Sequence, residues 1–134
     1  MSNNKAMELL RANGRDSFYK PTKEIEITRL SEQIGSPFIC TVKAIDMNQF
    51  KDLMREMGQE GDAVASMDAS LEAVRMGLVD PCVTDKELHK QYGVQNWKEF
   101  LNFLFLTGEI MELSEAIMDI SKLTPEEKKK TKKK

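Results

Sequence analysis

His89 is the single histidine of the chain, and it stands between Leu88 and Lys90. An imidazole does acid–base work when a second group orients it and a reacting group lies within reach. The residues around His89 supply neither, so it reads as a solvated surface side chain. Zinc asks for about four Cys, His or acidic ligands at suitable spacing. One histidine and two distant cysteines do not make that set. Cys40 lies in an alternating apolar run and Cys82 follows Pro81, with no CxxC pair. Both read as free thiols used as small hydrophobes, although spacing alone leaves a disulfide open. Gly58-Gln-Glu-Gly61-Asp62 offers too few oxygen ligands for a calcium loop. Glu109, Glu112 and Glu115 fall on the outer side of a helix and read as a solvated face. No phosphate-cradling glycine loop, dinucleotide fingerprint or nucleophile elbow is present. The expectation is a chain with no catalytic residues, no metal site and no cofactor.

Binding is the remaining class of function, and composition narrows it. The 134 residues suit one domain able to bury its own core. Hydrophobic residues make up 40% and charged residues 31%, ordinary for a water-soluble chain. No apolar run approaches the roughly 20 residues needed to span a bilayer, and no leader peptide is evident. The formal net charge of −2 hides an asymmetry. Lys128 to Lys134 carries six lysines; without Glu126 to Lys134, fourteen basic residues face twenty acidic ones. An acidic body with a basic end is unlike a nucleic-acid-binding domain, whose basic residues lie on a folded face. The tail cannot bury anything and reads as disordered.

The elements that must position any binding surface are readable in outline. Met7, Leu9 and Leu10 suggest a short helix ended by Asn13-Gly14, with Arg15 to Pro21 as a linker. Glu24 to Thr28 alternates apolar and polar residues, the period of a half-buried strand. Gly35-Ser36-Pro37 breaks the chain. Phe38 to Ile45 follows, with Phe38, Cys40, Val42 and Ala44 on one face. The two runs read as a β-hairpin with a long turn, whose apolar face must rest on helices. Asp46 with Gln49, Thr84 with Glu87 and Asn96 with Glu99 each have capping-box spacing. They predict a helix carrying Phe50, Leu53, Met54 and Met57, a short one pairing Leu88 with Tyr92, and a third from Trp97 to Leu106. Gly58 to Ala65 looks loose, and a further helix from about Asp68 shows Leu71, Val74 and Leu78 before Asp80-Pro81 stops it. After Thr107-Gly108, a last helix places Ile110, Leu113, Ile117 and Ile120 on one narrow seam. The expected fold class is α+β, predominantly helical, with a small N-terminal β-hairpin packed on a bundle of short helices. Residues 1–22 read as N-terminal helix and linker, 23–122 as a single domain, and 123–134 as the disordered lysine-rich tail.

Two features of the closing helices point to a partner. Between Trp97 and Leu106 the apolar residues extend around much of the helix, which fits either complete burial or one side on a partner. The chain also holds nine methionines, with Met111 and Met118 one heptad apart beside the seam. Flexible thioethers suit surfaces that adapt to several partner segments, and they also fill gaps in cores. The candidate partner-binding residues are Phe103, Leu106, Met111 and Met118.

The order of these features resembles a known family. Lys23-Glu-Ile-Glu-Ile-Thr-Arg-Leu30, Pro37-Phe-Ile-Cys-Thr-Val-Lys-Ala-Ile45, Val79-Asp-Pro81, Thr84-Asp-Lys-Glu-Leu88, Tyr92-Gly93, Leu106-Thr-Gly-Glu-Ile110 and Leu113-Ser-Glu-Ala-Ile117 stand in that order. The set resembles the XkdN-like tail assembly chaperones of PBSX-type prophages over about residues 5 to 121. The resemblance implies a non-catalytic protein of the bacterial host cytoplasm that is absent from the finished virion. It implies binding to the tape-measure protein, a long helical and aggregation-prone chain, and help for tail-tube protein assembling around it. No nucleic acid or membrane partner is implied, and a homo-oligomer stays open. The family also often makes a longer product by programmed frameshifting. Consecutive lysine codons are A-rich, so Lys128 to Lys134 is a candidate slippage region. Two alternatives remain beside this reading: a small helical nucleic-acid-binding regulator, and a structural tail subunit retained in the virion.

Overall fold

A computed structural model describes residues 5–57 and 63–123, apart from the side chains of 56–57 and 63–66. Within these bounds the chain is predominantly helical with a small antiparallel sheet, the α+β class expected. The order is α1 (Lys5–Ala12), a 3-10 turn (Arg15–Ser17), β1 (Thr22–Glu26), α2 (Thr28–Ile34), β2 (Ile39–Lys43), α3 (Met47–Met57), α4 (Ala63–Gly77), β3 (Leu78–Asp80), α5 (Lys86–Tyr92), α6 (Trp97–Leu104) and α7 (Thr107–Ile120). Of the expected tail 123–134, Leu123 packs against the core instead, and residues 124–134 lie outside the described residues.

β1 and β2 pair antiparallel with Ile25 opposite Cys40 and Glu24 opposite Thr41. Cys40, Val42 and Ala44 are buried and Phe38 packs against the core, so the alternation read from the sequence does select the inner face. The connection is not the long turn expected of a hairpin. It contains α2, whose Leu30 is buried, as is Ile27 just before it, and whose end is closed by Gly35 at φ 86°, donating its N–H to Ser31 O at 2.8 Å. A third strand, β3, pairs with β2. Leu78, expected on a helix, is therefore in the sheet, because α4 ends at Gly77.

Side-chain caps mark the starts of α3, α5 and α6. Gln49 N–H donates to Asp46 Oδ1 at 2.8 Å and Asp46 N–H to Gln49 Oε1 at 3.0 Å, a complete reciprocal box before α3. Glu99 N–H donates to Asn96 Oδ1 at 2.9 Å at the start of α6, while the Glu99 carboxylate takes the Gln95 N–H instead. Asp85, not Thr84, caps α5, accepting from Leu88 N–H at 3.0 Å. α4 begins at Ala63, earlier than the Asp68 expected, and residues 58–62 of the expected loose stretch lie outside the described ones.

α7 is the centre of the packing and rests on both α4 and the sheet. Its Ile110, Leu113 and Ile117 are buried and Ile120 packs beside them, the inward seam expected. Phe100, Leu101 and Val74 complete the most enclosed part of the core. Each such side chain contributes roughly 1.5–3 kcal/mol on burial. Gly77 permits a close approach of α4 to α7: a Cβ there would stand 2.7 Å from the Ile117 side chain. At the other end of the chain, every residue from Lys5 to Glu24 is exposed, and α1 contributes nothing to the core.

Candidate partner-binding surface

The corner between α6 and α7 is held by one ion pair. Arg29, from α2, places Nη2 2.7 Å from Glu109 Oε1 and Nε 2.9 Å from Glu109 Oε2. The same Nη2 donates to Leu104 O at 2.9 Å, so the guanidinium joins the end of α6 to the start of α7. Glu109 also accepts the Leu106 N–H at 2.8 Å. Leucine has no side-chain acceptor, so only the return half of a capping box forms. The hydrogen-bonded Arg29 guanidinium, helped by the Leu106 N–H, holds the Glu109 carboxyl below the usual carboxylate range against the opposing effect of burial. Glu109 thus departs from the solvated face expected of it, while Glu112 and Glu115 are exposed as expected. The break between the helices falls at Phe105 and Leu106, not at Thr107-Gly108, and Thr107 opens α7.

This corner presents three of the four candidate residues to solvent. Phe103 is 54% exposed, Leu106 57% and Met111 56%. They do not form one patch. Phe103 stacks at 5.1 Å on Tyr92 of α5, itself exposed, making an aromatic pair on the α5–α6 side. Met111 lines a separate cleft of about 230 Å³ with Met67, Ser70, Leu71, Asn102, Thr107 and Ile110. Met118 is half-buried and packs against the core. Phe100, Leu101 and Phe105, from the same apolar stretch, are core. Of the two readings left open for that stretch, burial holds for one side and exposure for the other.

The cleft contains residues that sequence reasoning missed. Met67 is 61% exposed and Leu71 stands one turn after it on α4. Their i,i+4 spacing was a usable signal, but it straddles the point where the helix was expected to begin. Met67 and Met111 therefore stand on the rim of one apolar depression, contributed by helices 44 positions apart in sequence. Its chemistry is that of an adaptable apolar groove with Ser70, Asn102 and Thr107 as the polar lining.

The residues considered for catalysis are placed apart from it. His89 is half-buried, not solvated: its Nε2 donates to Val83 O at 2.7 Å and its ring lies 5.7 Å from Phe100. Both cysteines are free, so no disulfide joins them. Cys40 is fully enclosed, and burial pushes its thiol up to about 12. Cys82 is exposed beside Thr84, so of the two free thiols only Cys40 is used as a small buried hydrophobe. A second depression is lined by Lys86, His89, Lys90 and Trp97 among others, with Arg75 over the Trp97 ring at 5.4 Å. Among the described residues, no group of three or more His, Cys, Asp or Glu could hold a metal ion, and no helix is long and apolar enough to cross a membrane.

Comparison with known proteins gives a family and a fold. The family model described as phage XkdN-like tail assembly chaperone protein matches residues 7–133. The crystal structure of the protein yqbn superposes with a TM-score of 0.57 at 20% identity, covering 81% of this chain and 92% of that one. That likeness is one of fold. No curated protein matches.

Proposed function

This chain belongs to the XkdN-like phage tail assembly chaperones, and from that premise we propose that it binds the tape-measure protein non-catalytically through its α4–α7 cleft. The observation that carries the reading is the pair of exposed methionines, Met67 and Met111, on the rim of one apolar depression. An amphipathic client helix would lay its apolar stripe there. Phe103, paired with Tyr92 on the α5–α6 side, and Leu106 at the α6–α7 corner are separate exposed candidates outside the cleft, and Met118 is half-buried against the core. Thioether side chains re-pack around non-identical client segments, which suits many copies spread along one long helix. The acidic body adds like-charge repulsion between coated clients and so opposes their aggregation.

On this reading the chaperone acts in the host cytoplasm, aids tail-tube protein assembling around the coated client, and leaves before the virion is complete. Co-expression tests it: the tape-measure protein should be soluble and co-purify with the chain, and should aggregate without it. Equal solubility in both cases would remove the reading. Detection of the chain in purified virions would favour a retained structural subunit. The run Lys128 to Lys134 supports a frameshift site; a gene lacking a slippery heptamer there would exclude it.

A further inference from the structure

The depression beside Trp97 is a basic exception on an acidic body. Residues 22–123 carry ten basic and eighteen acidic side chains. Four of those ten, Arg75, Lys86, Lys90 and Lys98, stand in or around this one depression of about 640 Å³. Lys86 and Lys90 line it from α5, one helical turn apart, and His89 shares their face. Val94 and Trp97 form its apolar wall, and among the described residues no carboxylate lines it. Arg75 is paired with Glu72 at 2.6 Å, but Lys86 and Lys90 form no ion pair among the described residues. Asp85 and Glu99, the carboxylates at the starts of α5 and α6, accept from the N–H groups of Leu88 and Gln95. Glu87 is exposed and stands outside the lining. Two cations beside an apolar wall therefore face solvent without an ion-pair partner.

We propose that this depression is a binding site for an acidic segment of a partner protein. Lys86 and Lys90 hold two of its carboxylates, and an apolar side chain of the segment rests on Val94 and Trp97. At i,i+4 spacing the two lysines have their Cβ atoms about 6 Å apart. Carboxylates two positions apart on an extended segment, at about 3.3 Å per residue, match that interval. Nucleic acid fits less well. A phosphate chain would continue over the acidic body, and Arg75 is already paired. Arg75 and Lys98 also stand over the Trp97 ring at 5.4 and 5.7 Å, where a base would stack. The depression shares no lining residue with the α4–α7 cleft, so its role is independent of the client reading.

Trp97 is the single tryptophan of the chain, so its fluorescence reports occupancy of this site. The test is titration of the full chain with the acetylated, amidated peptide Glu-Ala-Glu-Leu-Glu-Ala-Glu. The expected result is a saturable change at low salt, half complete below about 1 mM. It should weaken in about 1 M salt, where the Debye length is near 3 Å. The same peptide with glutamine for every glutamate should give no saturable change. The double variant Lys86→Gln, Lys90→Gln should bind at least about fivefold more weakly. Lys43→Gln, on β2, should bind as the unaltered chain does. All three positions are exposed, so circular dichroism should show both variants folded. The lysines of 128–134 are the same in every variant and cannot produce a difference between them. No saturable change, an equal response to the glutamine peptide, or an undiminished affinity of the double variant would overturn the proposal. Tighter binding of a single-stranded oligothymidylate, through the same Trp97 signal and lost in the double variant, would overturn it in favour of nucleic acid.

Discussion

Arg29 and Glu109, eighty residues apart in sequence, meet in a two-pronged ion pair that fixes the corner from which α7 starts. The pair makes acid sensitivity a local property of this corner. The folded state holds the Glu109 carboxyl below its ordinary range, with the hydrogen bond from Arg29 as the largest cause. A depressed carboxyl contributes stability that is complete above the unfolded value, near 4.3, and is lost as pH falls through the folded one. Glu109→Gln should therefore be less stable than the unaltered chain at neutral pH in urea melts. The gap should close progressively below about pH 4. A gap independent of pH would mean that the carboxylate charge is not what matters.

Gly77 and Ile117 set a second test. Alanine in a helix usually gains up to about 1 kcal/mol over glycine. Here the added Cβ would stand 2.7 Å from a β-branched side chain that is fully enclosed. Gly77→Ala should instead lose about 1–3 kcal/mol. Adding Ile117→Val should recover part of that loss, as the double-mutant cycle would show. A stabilised Gly77→Ala would contradict the close approach of α4 to α7.

The caps offer a sharper discrimination. Asp85→Ala and Asn96→Ala each remove a side-chain acceptor at a helix start and should cost about 1 kcal/mol. Thr84→Ala, at the neighbouring position, should stay within about 0.5 kcal/mol. Equal losses at Thr84 and Asp85 would reassign the start of α5.

Thiol chemistry probes the core directly. Cys82 should react with an aromatic disulfide reagent in the native protein at pH 8. Cys40, enclosed and with its thiol pushed up to about 12, should react only after denaturation. Two thiols titrating at once in native buffer would contradict the packing of β2.

Local interactions are legible in the sequence, and contacts between distant segments are not. The caps at Asp46 and Asn96 were readable because side-chain capping is local, and the inward seam of α7 because helical period is local. α2 was hidden because its seven residues stand between two strand-like runs, where Gly35-Ser36-Pro37 reads as part of a turn. β3 was hidden because three residues carry no period of their own. Phe103, Leu106 and Met111 stand out in the sequence by their apolar character, and the structure leaves all three exposed. The cleft itself could not be read. Met67 and Met111 share it only because α4 packs beside α7, and no spacing in the chain encodes that contact.

If the α4–α7 cleft holds the client, a substitution on its rim weakens client binding. Titration calorimetry of the folded chain with a helical tape-measure fragment measures this, comparing the unaltered protein with Met111→Asp and Glu87→Ala. Glu87 is exposed on α5 and is absent from the residues lining the cleft. The expected result is at least tenfold weaker binding for Met111→Asp, a change of about 1.4 kcal/mol, with Glu87→Ala unchanged. Equal affinity for all three folded proteins would contradict the claim.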